Sequence, residues 1–240
     1  TPYHLNLTPF FPGDGPMVPI RCIVETGAAD AVIFNAVQPD DPRVEYLVAK
    51  GFPFAMHGRS QLTERQANFD YDNDAFAQLA VETLAARSRS NLLLIPPPIN
   101  QFYSQEIVKG AKAACSRNKI RLIIAEGVTS DSTIDEVLGF TASVLVSNPD
   151  IDGILTAAPN AAMAATAGLE KVGRTIGQDI DLVAKDAITF LKLFRKEMII
   201  IREDVALAGE FLAKSAIHAI RSPLEPRMRY LDTPSRIFRS

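Results

Sequence analysis

Strand-like and helix-like stretches alternate along almost the whole chain, and this alternation constrains the fold more than any single motif. ADAVIFN is followed by DPRVEYLVAKG, NLLLI by SQEIVKGAKAACSRN, IRLIIAEG by TIDEVLGFTASVLVS, and DGILTAA by NAAMAATAGLEKVG. The first member of each pair is a short run rich in Val, Ile and Leu. The second carries apolar residues at helical spacing. Strands alternating with helices of roughly ten to fifteen residues make βαβ units and a mostly parallel sheet. The strands are nearly continuous in apolar residues, as required when helices cover both faces. Further strands are expected in YHLNL, PFAMH, DIDLVAKD, MIIIRE and the β-rich end RMRYLDTPSRIFR. Further helices are expected in MVPIRCIVETG and DVALAGEFLAKSAIHAI. These are too many units for one comfortable sheet, and the prolines at 96–98 read as a break between two.

One polar stretch stands out. NFDYDND places Asp70, Asp72 and Asp74 at every second position. A calcium loop of the EF-hand type would need Gly at its sixth position and Glu at its twelfth. Ala75 and Val81 stand there, so the metal reading fails. The next residues, AFAQLAVETLAA, have a helix pattern, and an acid or amide before them serves as an N-cap. A cap explains one carboxylate and leaves the other two open.

Charge and cysteine content exclude several functions. The 240 residues carry a formal net charge of −3, unlike a chain built to hold nucleic acid. The last twenty residues hold five arginines and two acids and read as a solvated tail, with a charged contact surface as the alternative. Cys22 and Cys115 form no metal or redox motif, and both are expected reduced and mostly buried, as in a cytoplasmic protein. No apolar run is long enough to span a membrane. Neither G-x-G-x-x-G nor G-x-x-x-x-G-K-[ST] follows a strand, and there is no G-x-S-x-G elbow. No cofactor and no metal set is expected. The histidines are scattered: His218 reads as a structural or surface residue of its helix, while His57 ends a strand and could equally cap a turn or face a ligand.

Ligands of open α/β sheets bind outside the carboxyl ends of the strands. The polar groups expected there are His57, Arg59, Asp70, Asp72, Lys185, Asp186 and Glu203.

The order of GFPFAMHGRS, FDYDNDAFAQLAVETL, DIDLVAKD, REDVALAGEFLAKSAIHAI and a tail ending RIFRS resembles the LacI/GalR family of bacterial transcription regulators. The resemblance is to the periplasmic-binding-protein-like effector domain and covers essentially the whole chain. It rests on Asp72–Asn73 opening a helix that ends near Thr83–Leu84, on the strand Asp179 to Asp186, and on Arg239–Ser240. It implies an α/β fold of two Rossmann-like lobes with a ligand cleft between them. The first lobe would comprise 1–95 plus 203–220 and the second 102–186 plus 227–240, with crossings near 96–101, 187–200 and 221–226. YHLNL matches the family's second strand, so the first βα unit is expected to be missing. The helix-turn-helix is absent too, so operator DNA would be reached only through an N-terminal domain outside this chain. The resemblance implies a small polar effector, a sugar or sugar derivative, gripped by His57, Arg59, Asp72, Tyr103, Lys185, Asp186 and Glu203. Asp72 would end a strand near the cleft, Asn73 or Asp74 would cap the helix, and Asp186 could instead form an ion pair with Lys185 or a nearby Arg. Phe102 or Tyr103 could stack on a sugar ring or pack beneath the Pro96–Pro98 loop. The family's gripping Arg falls at Ile107, its Asn or Asp after DGILTAA near Ala158, Pro159 or Asn160, and its strand-three Asp at Gly58. The resemblance also implies a cytoplasmic homodimer without enzymatic activity, with the small residues of Ala161–Ala167 read as a contact or as a buried helix. The alternative is an extracytoplasmic sugar-binding protein of a transporter.

Overall fold

The computed structural model describes residues 3–9, 15–61, 66–187 and 190–234. Its strands form two sheets, one of four strands and one of five. By contacts the chain divides into a first unit, 1–69 with 209–230, and a second, 70–208 with 231–240.

The first unit contains α1 (Met17–Thr26), β1 (Val32–Phe34), α2 (Pro42–Ala49) and β2 (Phe54–His57). β3 (Ala67–Tyr71) and β9 (Arg229–Asp232) complete its sheet, in the order β1-β2-β3-β9. β1, β2 and β3 pair in parallel. Asn68 N donates to Met228 O at 3.1 Å and Asp72 N to Asp232 O at 2.7 Å. Ile20, Val44, Leu47, Phe54 and Met56 make a small core. α2 starts as its sequence dictates: Pro42 takes the first turn, and the Asp41 carboxylate accepts from Arg43 N at 2.9 Å. YHLNL is not a strand. Leu5 and Leu7 are 90% and 93% exposed, because no described strand offers them a ladder. Cys22 on α1 is exposed rather than buried.

The second unit holds α3 (Asn73–Ala86), β4 (Asn91–Ile95), α4 (Phe102–Asn118), β5 (Arg121–Ile124), α5 (Ile134–Ser147) and β6 (Gly153–Thr156). It continues with α6 (Pro159–Lys171), β7 (Asp181–Asp186), α7 (Leu191–Phe194) and β8 (Ile199–Arg202), and α8 (Val205–Arg221) begins in it. The sheet is parallel throughout, in the order β5-β4-β6-β7-β8. The chain therefore leaves β4 toward one edge and β6 toward the other. That reversal puts the topological switch point between β4 and β6.

Period-two alternation sorts the strand side chains onto two faces. Leu92, Leu94, Leu155, Val183 and Ile201 pack with residues of α3 and α4. Leu93, Ile95, Ile154, Leu182 and Ala184 pack with residues of α5 and α6. α5 begins with a full capping box: Thr133 Oγ1 accepts from Glu136 N, and Glu136 Oε2 accepts from Thr133 N.

The expected lobe boundaries require correction. β4 belongs to the five-stranded sheet, so the first lobe does not extend to residue 95. Leu92–Ile95 lie between β5 and β6 with at most 1% exposure, and the prolines after them lead into α4. The first crossing falls at 69/70, not near 96–101. β8 pairs with β7, which moves the second crossing from 187–200 to 208/209, inside α8. The third falls at 230/231, beyond 221–226, and β9 joins the four-stranded sheet although its span was assigned to the second lobe. Arg239 and Ser240 lie outside the described residues.

Candidate functional site

At the carboxyl ends of β7 and β8, neighbouring residues part company. Lys185 and Asp186 are adjacent, so their side chains leave opposite faces of the strand. Lys185 turns toward α3 and α4. Its Nζ lies 2.9 Å from Glu203 Oε2, just past β8, and donates to Asn73 Oδ1 at 3.1 Å in the first turn of α3. The rings of Tyr71, Tyr103 and Phe76 surround the same ammonium at 5.1, 5.5 and 5.7 Å. Each is within cation–π range, where a desolvated contact contributes about 2 kcal/mol. Lys185 is 9% exposed and Glu203 6%, so this is a buried ion pair in an aromatic box. Asp186, 1% exposed, sits on the other face, where its Oδ2 accepts from Leu191 N at 3.3 Å. The contemplated Lys185–Asp186 ion pair is not formed.

Tyr71 binds the cluster to the backbone by donating its hydroxyl to Arg202 O at 3.2 Å. Asn73 is held by donating Nδ2 to Tyr71 O at 2.8 Å. Burial, and then the negative charge of Glu203 and other acids, pushes the Tyr71 hydroxyl upward. Burial, with Asp131 and Glu203, does the same to Tyr103. Asp232 is raised by burial and by the nearby Glu203 and Asp204.

Asp72 follows β3 directly, and its own carboxylate caps α3 by accepting from Ala75 N at 2.9 Å. The cap is therefore not Asn73, which lies inside the helix, nor Asp74, which pairs with Lys109 at 2.8 Å. Asp70 is buried within β3. His57 and Arg59 stand in the first unit, at and after the end of β2, with the His57 ring 5.8 Å from Phe69. Gly58 between them has φ +111°, a conformation L side chains rarely adopt, which explains why no aspartate stands there. The five remaining candidates, Asp72, Tyr103, Lys185, Asp186 and Glu203, lie in the second unit.

Three positions where the family pattern differs have clear roles. Ile107 is fully buried against α3 and the sheet. Ala158 is the N-cap residue of α6, without a side-chain cap. Asn160 donates to Ser130 O at 2.9 Å. Tyr103 packs against the α3–α4 core and the lysine, which realises the packing role.

Sequence reasoning missed Thr156 and two of the three rings around the ammonium, Tyr71 and Phe76. Thr156 closes β6 beside the switch point, is fully buried, and its Oγ1 has no hydrogen-bond partner among the described residues. A hydroxyl at the end of an otherwise apolar strand was the available signal. Tyr71 and Phe76 carried none, because aromatic residues read as ordinary core. His218 Nε2 meets Pro226 O at 3.1 Å, a structural role. Among the described residues no three His, Cys, Asp or Glu side chains are grouped to hold a metal ion, and no helix is long and apolar enough to cross a membrane.

Two parallel α/β sheets with polar groups at the strand ends define a periplasmic-binding-protein-like fold. Residues 23–199 match the family described as "Periplasmic binding protein domain", and the chain belongs to that family. It is 27% identical over 224 residues to the HTH-type transcriptional regulator AglR of Rhizobium meliloti (strain 1021). The match takes in 91% of this chain but 62% of AglR, so the chain spans less than two thirds of that relative. A solved complex of the transcriptional regulator CelR with cellobiose superposes with a TM-score of 0.79 at 19% identity, covering 92% of this chain and 69% of the other. A LacI family transcriptional regulator from Enterococcus faecium with bound ribose gives 0.78 at 18% identity, covering 92% and 83%. These two likenesses show the fold.

Proposed function

We propose that the chain is the effector-binding part of a LacI-type transcription regulator and takes a sugar or sugar derivative. The supporting observation is the match to AglR across 91% of the chain, joined to a fold shared with regulators solved with cellobiose and with ribose. The similarity to a regulator favours this reading over a transporter's binding protein. In this reading no bond is made or broken. The effector binds more tightly to one conformation and so shifts the population, which changes operator affinity through a DNA-binding segment outside this chain. The protein acts in the cytoplasm as a homodimer.

The second unit contributes the carboxyl edge of its sheet to the effector site, where Asp72, Tyr103, Lys185, Asp186 and Glu203 lie. Of these, Lys185, Glu203 and Tyr103 hold one another and act as a rigid wall. Thr156, beside the switch point, supplies a hydroxyl for direct contact. His57 and Arg59 are kept as candidates in the first unit, at and after the end of β2. The homodimer rests on the likeness to LacI-type regulators, because the small residues of α6 have an explanation within the fold. Ala161, Ala162, Ala164 and Ala165 are at most 2% exposed and pack in the core shared with α5.

The test is calorimetric titration of the chain with ribose, cellobiose, maltose and glucose, followed by operator binding of the complete gene product with and without the sugar that binds. Saturable binding that alters operator affinity is expected. Binding without any effect on DNA would remove the regulator reading. No binding by any sugar would remove the ligand class.

A further inference from the structure

We infer that Asp131 grips the ligand directly: its carboxylate, fixed at the switch point by the loop that follows β4, accepts a pair of adjacent hydroxyls of the sugar. The inference rests on the sugar reading above and adds a residue to that site.

The proline run builds the place. Pro96, Pro97 and Pro98 leave β4 with fixed φ and no N–H, so this stretch of backbone offers acceptors alone. Its carbonyls hold two neighbouring segments. Ser104 Oγ, in the first turn of α4, donates to Pro97 O at 2.7 Å. Ser130 N, in the loop between β5 and α5, donates to Pro96 O at 2.9 Å. Ser130 O in turn accepts from Asn160 Nδ2, in the first turn of α6, at 2.9 Å. Residue 130 is thus tied on one side to the exit of β4 and on the other to the helix that follows β6. Those two strands flank the switch point, where open α/β sheets bind their ligands. Asp131 is the next residue in the loop, and Tyr103 adjoins Ser104 in α4.

The Asp131 carboxylate is not what shapes its loop. The turn is closed by Ser132 N donating to Thr129 O at 3.1 Å, Thr129 N to Ser132 Oγ at 3.1 Å and Asp131 N to Thr129 Oγ1 at 3.3 Å. Capping of α5 falls to Thr133 and Glu136. Asp131 itself is exposed, and among the described residues its carboxylate takes the Ser130 hydroxyl at 3.1 Å and meets no cation. An ionised carboxylate has about four acceptor positions, so most of its capacity stays open to a ligand. After burial, the Asp131 charge is the first influence raising the Tyr103 hydroxyl, so the carboxylate lies within electrostatic reach of that half-buried ring. Thr156 Oγ1, buried at the end of β6 and without a described partner, adds one donor and two acceptor sites at the same switch point. A carboxylate that can take two donors side by side, an aromatic ring and a hydroxyl together suit a sugar presenting neighbouring hydroxyls.

The experiment is isothermal titration of wild type, Asp131→Asn and Asp150→Asn with ribose, cellobiose, maltose and glucose. The sugar that binds is then titrated in its 2-deoxy and 3-deoxy forms, each of which lacks one hydroxyl of a neighbouring pair. Asp150 precedes β6 at the amino edge of the sheet, pairs with Arg121, and controls for the loss of one negative charge. Asp131→Asn should weaken binding by about tenfold or more, the scale for a hydrogen bond to a charged group, and leave Tm unchanged. Asp150→Asn should bind as wild type does. One deoxy form should bind wild type about tenfold or more weakly than the parent sugar, and Asp131→Asn should lose most of that difference. Unchanged affinity in Asp131→Asn overturns the assignment and leaves the sugar reading standing. So does an equal loss in Asp150→Asn, or a deoxy difference kept in full by Asp131→Asn. Should no sugar bind wild type, the sugar reading falls and the role of Asp131 with it.

Discussion

Replacing Gly168 by alanine adds one methyl group to α6, and its effect depends on what that methyl would meet. A Cβ built there would lie 2.6 Å from Leu138 O and 2.8 Å from Thr141 Cβ, both on α5. A backbone carbonyl cannot swing aside, so the two helices must separate. Overpacking of this kind costs about 1–3 kcal/mol. Alanine's better helix propensity returns about 1 kcal/mol. Because the obstructing atom is backbone, we take the upper part of the range and expect a net loss of about 2 kcal/mol, or a fall in Tm of about 4–8 °C for a chain of this size. Gly139 on α5 is the internal control. It is exposed, and a Cβ there meets nothing within 4 Å. The same substitution should therefore stabilise by about 0.5–1 kcal/mol and raise Tm by about 1–4 °C. Differential scanning calorimetry of both variants gives the answer. A rise in Tm for Gly168→Ala comparable to that for Gly139→Ala would refute the close approach of α5 and α6.

Three further outcomes are expected. Lys185→Met removes the ammonium that faces the buried Glu203 carboxylate at 2.9 Å and should cost about 3–5 kcal/mol in urea denaturation, while Lys185→Met with Glu203→Leu recovers most of it; equal losses in both would show that the ion pair is not the cause. Burial pushes the Asp181 carboxyl up, but hydrogen bonds from Arg87 and Arg89 at 2.8 and 2.7 Å overcome this and hold it below its usual range. Its contribution is thus fully present above the unfolded carboxylate value of about 3.9 and is lost as pH falls through the lowered folded value. Urea midpoints of Asp181→Asn should accordingly vary less with pH in that acid window than those of wild type, and parallel profiles would count against the pairing. Burial lifts the Cys115 thiol to about 11, whereas Cys22 is exposed, so an aromatic disulfide reagent should titrate one thiol quickly in the native chain and the second only on unfolding.

The alternation of apolar runs with helical periods was enough to define the parallel α/β class, because burial on both faces demands strands like Leu92–Ile95. Local rules also placed the start of α2 at Asp41–Pro42, where the cap and the proline act within one turn. The local pattern could not decide partnership between distant segments. NLLLI looks the same whichever sheet it enters. Pairing with β5 and β6 gives it to the five-stranded sheet, and the proline run proved to be a strand exit rather than a boundary between units. YHLNL has the composition of a strand but no described neighbour to complete its hydrogen bonds. The site shows the same division. Strand ends are legible as polar residues after apolar runs, so Lys185, Asp186 and Glu203 could be nominated from sequence. Their roles could not, because Lys185 and Glu203 lie far apart along the chain yet 2.9 Å apart in space. Lys185 and Asp186 are neighbours in the chain but face opposite sides of β7. Sequence determines which charges are present and the period at which they alternate. Only the packing of α3, β7 and β8 around one buried ammonium decides which carboxylate meets it, since Coulomb energy and desolvation depend on distance through space and not along the chain.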